Sequence, residues 1–349
     1  MDHIERVQAA LRFGAPDRLP LEIHDVPGLY DAYGTVDPET VVLVPGAEDF
    51  DAIRVTYHWT FADEGKNAEG ERLRRDEWGC LQRVPASEQT AYEVVHKPLA
   101  DPTALDRYRF PDPSVSDAFF ARTRRIISER YADRFVCGYV DPGPLLVAFN
   151  LMGYSGLLTR LIDEPERVVR VVSQVVEYQK GIVDRFAQIG VHQVSIIDEF
   201  AGTGGLMFSP DLWRKHFAGL YAEVFRHIQS HGLLAGCLFD GDITAILDDY
   251  LALGPDVIEI MQPNLVGIDK WSRLLGGRAG RRHAAKASVD MMTTLATGTP
   301  RQCAEEARKL VAAFHSPEGG FVPISLRWHR PQYAAENVAA VAATFRESQ

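Results

Sequence analysis

Short apolar runs alternate with longer stretches of helical periodicity along most of this 349-residue chain, and that alternation constrains the fold more than any other feature. The runs RLPLEIH (18–24), RFVCGYV (134–140), VHQVSII (191–197), LLAGCLF (233–239), VIEIM (257–261) and GGFVPIS (319–325) have the length of buried strands. Between them lie helical patterns with the expected punctuation. PERVVRVVSQVVEYQKGIVDRFAQIG carries Pro165 near its start and Gly190 past its end. SPDLWRKHFAGLYAEVFRHIQSHG opens with Ser209 as N-cap and Pro210 in the first turn. Strand and helix in alternation imply a parallel sheet, open or closed.

Polar residues decide between the two. An open doubly wound sheet carries a glycine-rich nucleotide turn after its first strand; here RLPLEIH runs into DVPGLYDAYG, which has no GxGxxG. Polar side chains instead follow nearly every strand: His24 and Asp25, Asp141, Asp198 and Glu199, Asp240 and Asp242, Gln262, then Arg327 and His329. In a closed barrel all strand C-terminal ends meet at one rim, where the active site sits. The expectation is an α/β fold, a (β/α)8 TIM barrel, as a single domain over residues 1–349. The less regular span from about 45 to 110, with its hairpin-like EWGCLQRVP, is expected as an insertion decorating the rim.

Composition narrows the function. A formal charge of −11 argues against nucleic acid, which needs a basic face, and weakly against an anionic membrane. Cys80, Cys137, Cys237 and Cys303 are too sparse for a disulfide framework and read as reduced thiols of a cytoplasmic protein. The opening MDHIERVQAALRFG is an amphipathic helix with acidic residues rather than a signal peptide. No apolar run approaches the ~20 residues that span a bilayer.

Six segments, in order, resemble the uroporphyrinogen decarboxylase superfamily, which also contains methyltransferases serving corrinoid proteins and folates. RVQAALRFGAPDRLPL is similar to its opening helix and entry to the first strand, and DEWGC to its hairpin. DEFAGTGGLMFSPDLWRKHF and LFDGDITAILDDYLALGPDVIEIMQP resemble its central segments; LATGTPRQCAEEARKLV and AAENVAAV resemble its closing ones. The resemblance implies a barrel with its site at the strand C-terminal mouth. The departures bear on function. The arginine-rich loop of true uroporphyrinogen decarboxylases is replaced by EIHDVPGLYDAYG, without arginine. The HxC zinc motif of the thiol-methylating branch falls on CLFDG, with Leu238 in place of the histidine, and the late strand reads SLRWHRP without cysteine. Zinc is therefore not expected, nor any tightly bound cofactor. The resemblance leaves methyl transfer from a small methoxylated or methylated substrate, with a corrinoid protein or tetrahydrofolate as acceptor. A decarboxylase of a pyrrole-type or other small carboxylate is the alternative, and a non-catalytic ligand-binding barrel the third. The partner is a small molecule, with a corrinoid protein and a homodimer left open.

Candidate residues follow from placement. Asp198 and Glu199 end one strand, and neighbours on a strand point to opposite faces, so at most one aims straight into the mouth. One is then a general acid or base, or the partner of a cationic substrate, while the other caps the loop; the structural alternative is a pair of salt-bridged loop acids. The GTGG that follows lacks the spacing of a phosphate loop, and its glycines are read as a tight turn. Asp240 is a second candidate acid, set against an Asx-turn. Arg327 is a candidate carboxylate clamp and His329 a proton shuttle. His24, Asp141 and Gln262 are candidate substrate contacts. Cys237, read chiefly as core, and Glu199 are the donors singled out should a metal bind. Trp59, Trp78 and Trp328 are candidate walls of an apolar pocket, buried core being the default.

Overall fold

The computed structural model describes residues 1–24, 26–29, 49–85, 92–275, 283–325 and 333–348. Eight parallel strands close on themselves: β1 (Glu22–Ile23), β2 (Ala52–Tyr57), β3 (Phe135–Val140), β4 (Gln193–Asp198), β5 (Leu234–Phe239), β6 (Val257–Ile260), β7 (Ala284–Ala287) and β8 (Phe321–Ser325). Each pairs with its neighbours in sequence, and β1 joins β2 on one side and β8 on the other. The chain is thus a (β/α)8 barrel. Two strands carry no uninterrupted apolar run: β2 has Arg54 at its centre, and β7 has Lys286 among alanines. The strand β2 lies within the span expected as insertion. The rim decoration proper is a four-stranded antiparallel sheet of Phe61–Lys66, Arg72–Asp76, Leu81–Val84 and Glu93–His96.

The helices start and stop where side-chain chemistry dictates. The first, His3–Leu11, is closed by an Asp2–Glu5 capping box, and Pro300–Phe314 by one of Thr299 and Gln302. Pro165–Gln188 begins on its proline and stops before Gly190, whose φ is +82°. Ser209 accepts from the Leu212 N–H to open Pro210–His216, but the expected single helix breaks at Phe217 and resumes as Ala218–Ser230. Pro144–Met152 and Tyr154–Asp163 meet at Gly153 with a 101° bend. Among the described residues no single helix is long and apolar enough to cross a membrane.

Valine, isoleucine and aromatic side chains fill the layer between strands and helices, as in Val168, Val172, Val175, Ile182 and Phe186 of the long helix. The lumen differs. Barrel interiors are ordinarily packed with branched apolar residues, whereas the registers here align Glu22, Arg54, Cys137, Tyr139, Gln193, Ser195, Glu259 and Lys286 on the inward face.

Candidate active site

The lumen forms the floor of the site. Lys286 Nζ lies 2.6 Å from Glu22 Oε2 and 3.0 Å from Cys137 Sγ. Tyr139 Oη stands 3.0 Å from Glu22 Oε1 and 2.9 Å from Glu259 Oε2. Ser195 Oγ donates to Glu259 Oε1 over 2.8 Å, and Gln193 Nε2 to Ser195 Oγ over 2.7 Å. The Arg54 guanidinium covers the Tyr139 ring at 4.1 Å and reaches His24 Nδ1 at 3.2 Å. Burial alone would push the Glu22 carboxyl up, but the Lys286 ammonium and His24 hold it far below the usual range. Burial and the Arg54 charge push His24 down to about 4, so it is a neutral imidazole, 3.2 Å from Glu22. Burial drives Glu259 upward.

Gly236 makes this packing feasible. A Cβ there would sit 2.0 Å from Ser195 Oγ, so the polar side chains of β4 occupy the space that β5 leaves empty.

Above the floor the strand ends bring acids together. Asp198 and Glu199 separate as strand geometry requires. The fully buried Asp198 turns toward the helices: it accepts from the N–H groups of Leu145 (3.0 Å) and Leu146 (2.9 Å) at the start of Pro144–Met152, from Glu199 N–H (2.9 Å) and from Tyr221 Oη. Gly143 permits this approach, since a Cβ there would lie 2.6 Å from the Asp198 side chain. Burial pushes Asp198 up to about 6 against those hydrogen bonds. Glu199 stands among charges instead. Burial, then Asp240, Asp141 and Asp198, push its carboxyl up to about 8. It therefore holds its proton at neutral pH.

The neighbours are fixed in turn. Asp141 Oδ2 is 3.2 Å from His58 Nδ1, and Gln262 Nε2 donates to Asp240 Oδ1 over 3.2 Å. GTGG forms the bend of a hairpin in which Ala201–Gly202 pairs with Gly205–Leu206. Gly241, φ +91°, seats the Asp240 turn on that hairpin: a Cβ there would lie 2.4 Å from the Ala201 carbonyl oxygen. Asp242 N–H donates to Gly202 O over 3.0 Å.

One wall is aromatic. Trp59 leaves β2 with a left-handed φ of +57°, a conformation that costs a bulky residue about 1–3 kcal/mol. Its ring lies 5.2 Å from His58 and 6.3 Å from Tyr92, with Phe61 at 6.2 Å. Arg74 covers Phe61 at 3.9 Å within the rim sheet, which thus supplies part of the wall. Burial, then Asp141 and Glu199, raise the Tyr92 phenol, and burial and Glu199 raise Tyr154, so both tyrosines border the acid cluster. Trp78 belongs elsewhere, buried edge-on to Tyr178 at 4.8 Å.

Of the residues singled out from sequence, the structure gathers Glu199, Asp240, Asp141 and Gln262 at the mouth and sets His24 in the floor. Asp198 faces the helix layer. Cys237 lies on the same outward side of β5, its sulfur 3.7 Å from Val257 O, turned away from Glu199. Arg327, Trp328, His329 and Asp25 lie outside the described residues. Glu22, Arg54, Tyr139, Glu259 and Lys286 were missed by reasoning that looked past strand ends. The signal was present, as polar residues at alternate positions within strands, Gln193 and Ser195 being the clearest pair.

A family model described as uroporphyrinogen decarboxylase (URO-D) matches residues 82–347. Among solved structures, the chain is similar to a methyltransferase from Methanosarcina mazei, at 17% identity over 99% of both chains with a TM-score of 0.71. A B12-independent methionine synthase from Shewanella sp. W3-18-1 is 10% identical over 95% of this chain and 98% of that one, with a TM-score of 0.49. The likeness to the first of these is one of fold. No curated protein matches the sequence.

Proposed function

Because the chain belongs to the uroporphyrinogen decarboxylase (URO-D) family, we propose that it is a methyltransferase of one-carbon metabolism, moving a methyl group from a small methoxylated or methylated substrate to a corrinoid protein or tetrahydrofolate. The observation that carries this reading is Glu199, a carboxylic acid still protonated at neutral pH, set among Asp141, Asp240 and an aromatic wall. When the C–O or C–N bond to the methyl group breaks, the bonding pair stays on the heteroatom, which needs a proton to leave readily. Glu199 supplies that proton, and a general acid with a pKa near the working pH contributes about 10²–10⁴-fold in rate. Burial, then Asp240 and Asp141, keep Glu199 protonated, and the negative field of the two aspartates favours a substrate that is neutral or cationic near the reacting atom. Trp59, Phe61 and Tyr92 exclude water from the apolar part of the donor.

Other residues act from behind or beside this centre. Asp198 is a positioning residue, fixing the start of Pro144–Met152 and the Glu199 backbone. His24, held neutral in the floor, and Gln262, on Asp240, set the shape of the substrate cavity. Arg327 and His329, which follow β8 in the sequence, are assigned to orient a substrate carboxylate and to carry a second proton. The zinc positions of the thiol-methylating branch hold Leu238 and Asp240, a donor set that does not suit activation of a thiolate; no step is assigned to that metal.

A thermal-shift panel tests the reading, because a ligand of the native state raises the melting temperature by mass action. Methyl-tetrahydrofolate, methylcobalamin, methoxybenzoates or methylated amines are expected to stabilise the protein. Stabilisation by a porphyrinogen-like polycarboxylate alone would point to decarboxylation instead.

A further inference from the structure

A second constellation stands far from the mouth. His227 and His231 lie four residues apart at the end of the helix Ala218–Ser230, His231 being its C-cap residue, so one turn of helix places both rings on one side. Asp184, on the long helix Pro165–Gln188, faces them. His227 Nε2 is 2.7 Å and His231 Nε2 2.8 Å from the same carboxylate oxygen, Asp184 Oδ1. The two imidazoles stand 5.1 Å apart, nearly perpendicular at 83°. All three donor atoms lie within 4.8 Å of one another, and among the described residues this is the group whose spacing suits an ion. His231 ends its helix three residues before β5 begins, so the cluster belongs to the barrel face opposite the strand C-terminal mouth.

We propose that Asp184, His227 and His231 form a site for a divalent transition-metal ion of the Zn²⁺ class. Two imidazole nitrogens and one carboxylate oxygen make a borderline donor set, suited to Zn²⁺, Co²⁺, Ni²⁺ or Cu²⁺ rather than Mg²⁺ or Ca²⁺. A tetrahedral zinc with ligands at about 2.0–2.1 Å holds its donor atoms roughly 3.3 Å apart. The present N–O separations of 2.7 and 2.8 Å are slightly shorter, so the ion enters by spreading side chains a few tenths of an ångström. It replaces the direct contacts between the two rings and the carboxylate, each neutral ring binding through Nε2 with its proton on Nδ1. The side chains are 25%, 32% and 43% exposed for His227, His231 and Asp184, which gives the ion a path from solvent and leaves water to complete its shell. Once bound, it clamps together the helices that precede β4 and β5.

The test uses untagged, chelator-stripped protein, titrated with ZnCl2 by calorimetry and with CoCl2 by visible absorption. Wild type is expected to bind one equivalent, with the absorption bands of Co²⁺ coordinated by nitrogen and oxygen, and to melt at a higher temperature with Zn²⁺ present. His231→Gln and Asp184→Asn are expected to weaken binding at least tenfold, and the double variant His227→Gln/His231→Gln to abolish it. Contacts as exposed as these contribute little to folding, so the metal-free variants should melt close to wild type; the single His231→Gln variant keeps the test decisive should the double variant fail to fold. No saturable binding by wild type, or equal binding by His231→Gln, overturns the proposal.

Discussion

Lys286 Nζ lies 2.6 Å from Glu22 Oε2, and both side chains are fully buried inside the barrel. The pair spans β7 and β1, near the ends of the chain, and ties the closing strands of the barrel together. Removing one member of a buried ion pair leaves the other charge uncompensated and costs about 3–5 kcal/mol. Lys286→Met is expected to lose stability of that order in urea denaturation, and Lys286→Met/Glu22→Gln to recover most of it. A loss below about 1 kcal/mol for the single variant would show that Glu22 is not left as an uncompensated buried charge without Lys286.

Glu199 should leave a signature in the pH dependence of stability. Its pKa is raised from 4.5 to about 8 on folding, so between those values the native state binds the proton that the unfolded chain has lost. Stability from this group is present below about 4.5 and is lost as pH rises toward 8. Glu199→Gln removes the effect. The variant is expected to melt above wild type at pH 8, with the gap closing as pH falls to 5. A gap that stays constant with pH would place the Glu199 titration elsewhere.

Asp198 joins an entire helix start to the barrel. Asp198→Ala leaves the N–H groups of Leu145, Leu146 and Glu199 and the Tyr221 hydroxyl without their acceptor. An unsatisfied buried donor costs about 1–3 kcal/mol, and with partial rehydration the expected total is about 2–4 kcal/mol in chemical denaturation. Tyr221→Phe, which removes only one donor, should cost less than half as much.

Gly241 connects fold and site most directly. Gly241→Ala combines an unfavourable φ of +91° with a Cβ 2.4 Å from a backbone oxygen. The backbone must shift, moving Asp240 away from Glu199. The expected result is a loss of about 1–3 kcal/mol in stability, with a Glu199 pKa nearer 4.5. Titration of a ¹³C-labelled Glu199 carboxyl by NMR measures the latter.

The barrel was legible because its outer layer follows simple rules. Val, Ile and Phe runs of strand length, helix spacing in PERVVRVVSQVVEYQKGIVDRF, and caps at Ser209 and Pro165 all reflect burial against the helices. A buried strand ordinarily reads as apolar, and two strands here do not. Arg54 and Lys286 break the runs of β2 and β7, and both point into a lumen where each charge meets another; the two strands and the ion network were therefore hidden by the same residues. The mouth was more accessible. Acids after strands gave Glu199, Asp240 and Asp141, while the side that each faces follows from two-residue alternation, which separates Asp198 from Glu199. The sequence offers Trp59 as a wall of an apolar pocket, but no local pattern pairs it with Tyr92, which lies beside the rim sheet.

The most direct measurement follows the methyl group itself. Donors carrying a ¹³C-methyl on oxygen or nitrogen are incubated with the protein and either tetrahydrofolate or a reduced corrinoid, and the label is followed by NMR in wild type and Glu199→Gln. The account predicts transfer of the label to one of the acceptors, slowed about 10²–10⁴-fold by the substitution. No transfer from any donor, with CO2 released from a pyrrole carboxylate at a rate that Glu199→Gln leaves unchanged, would contradict it.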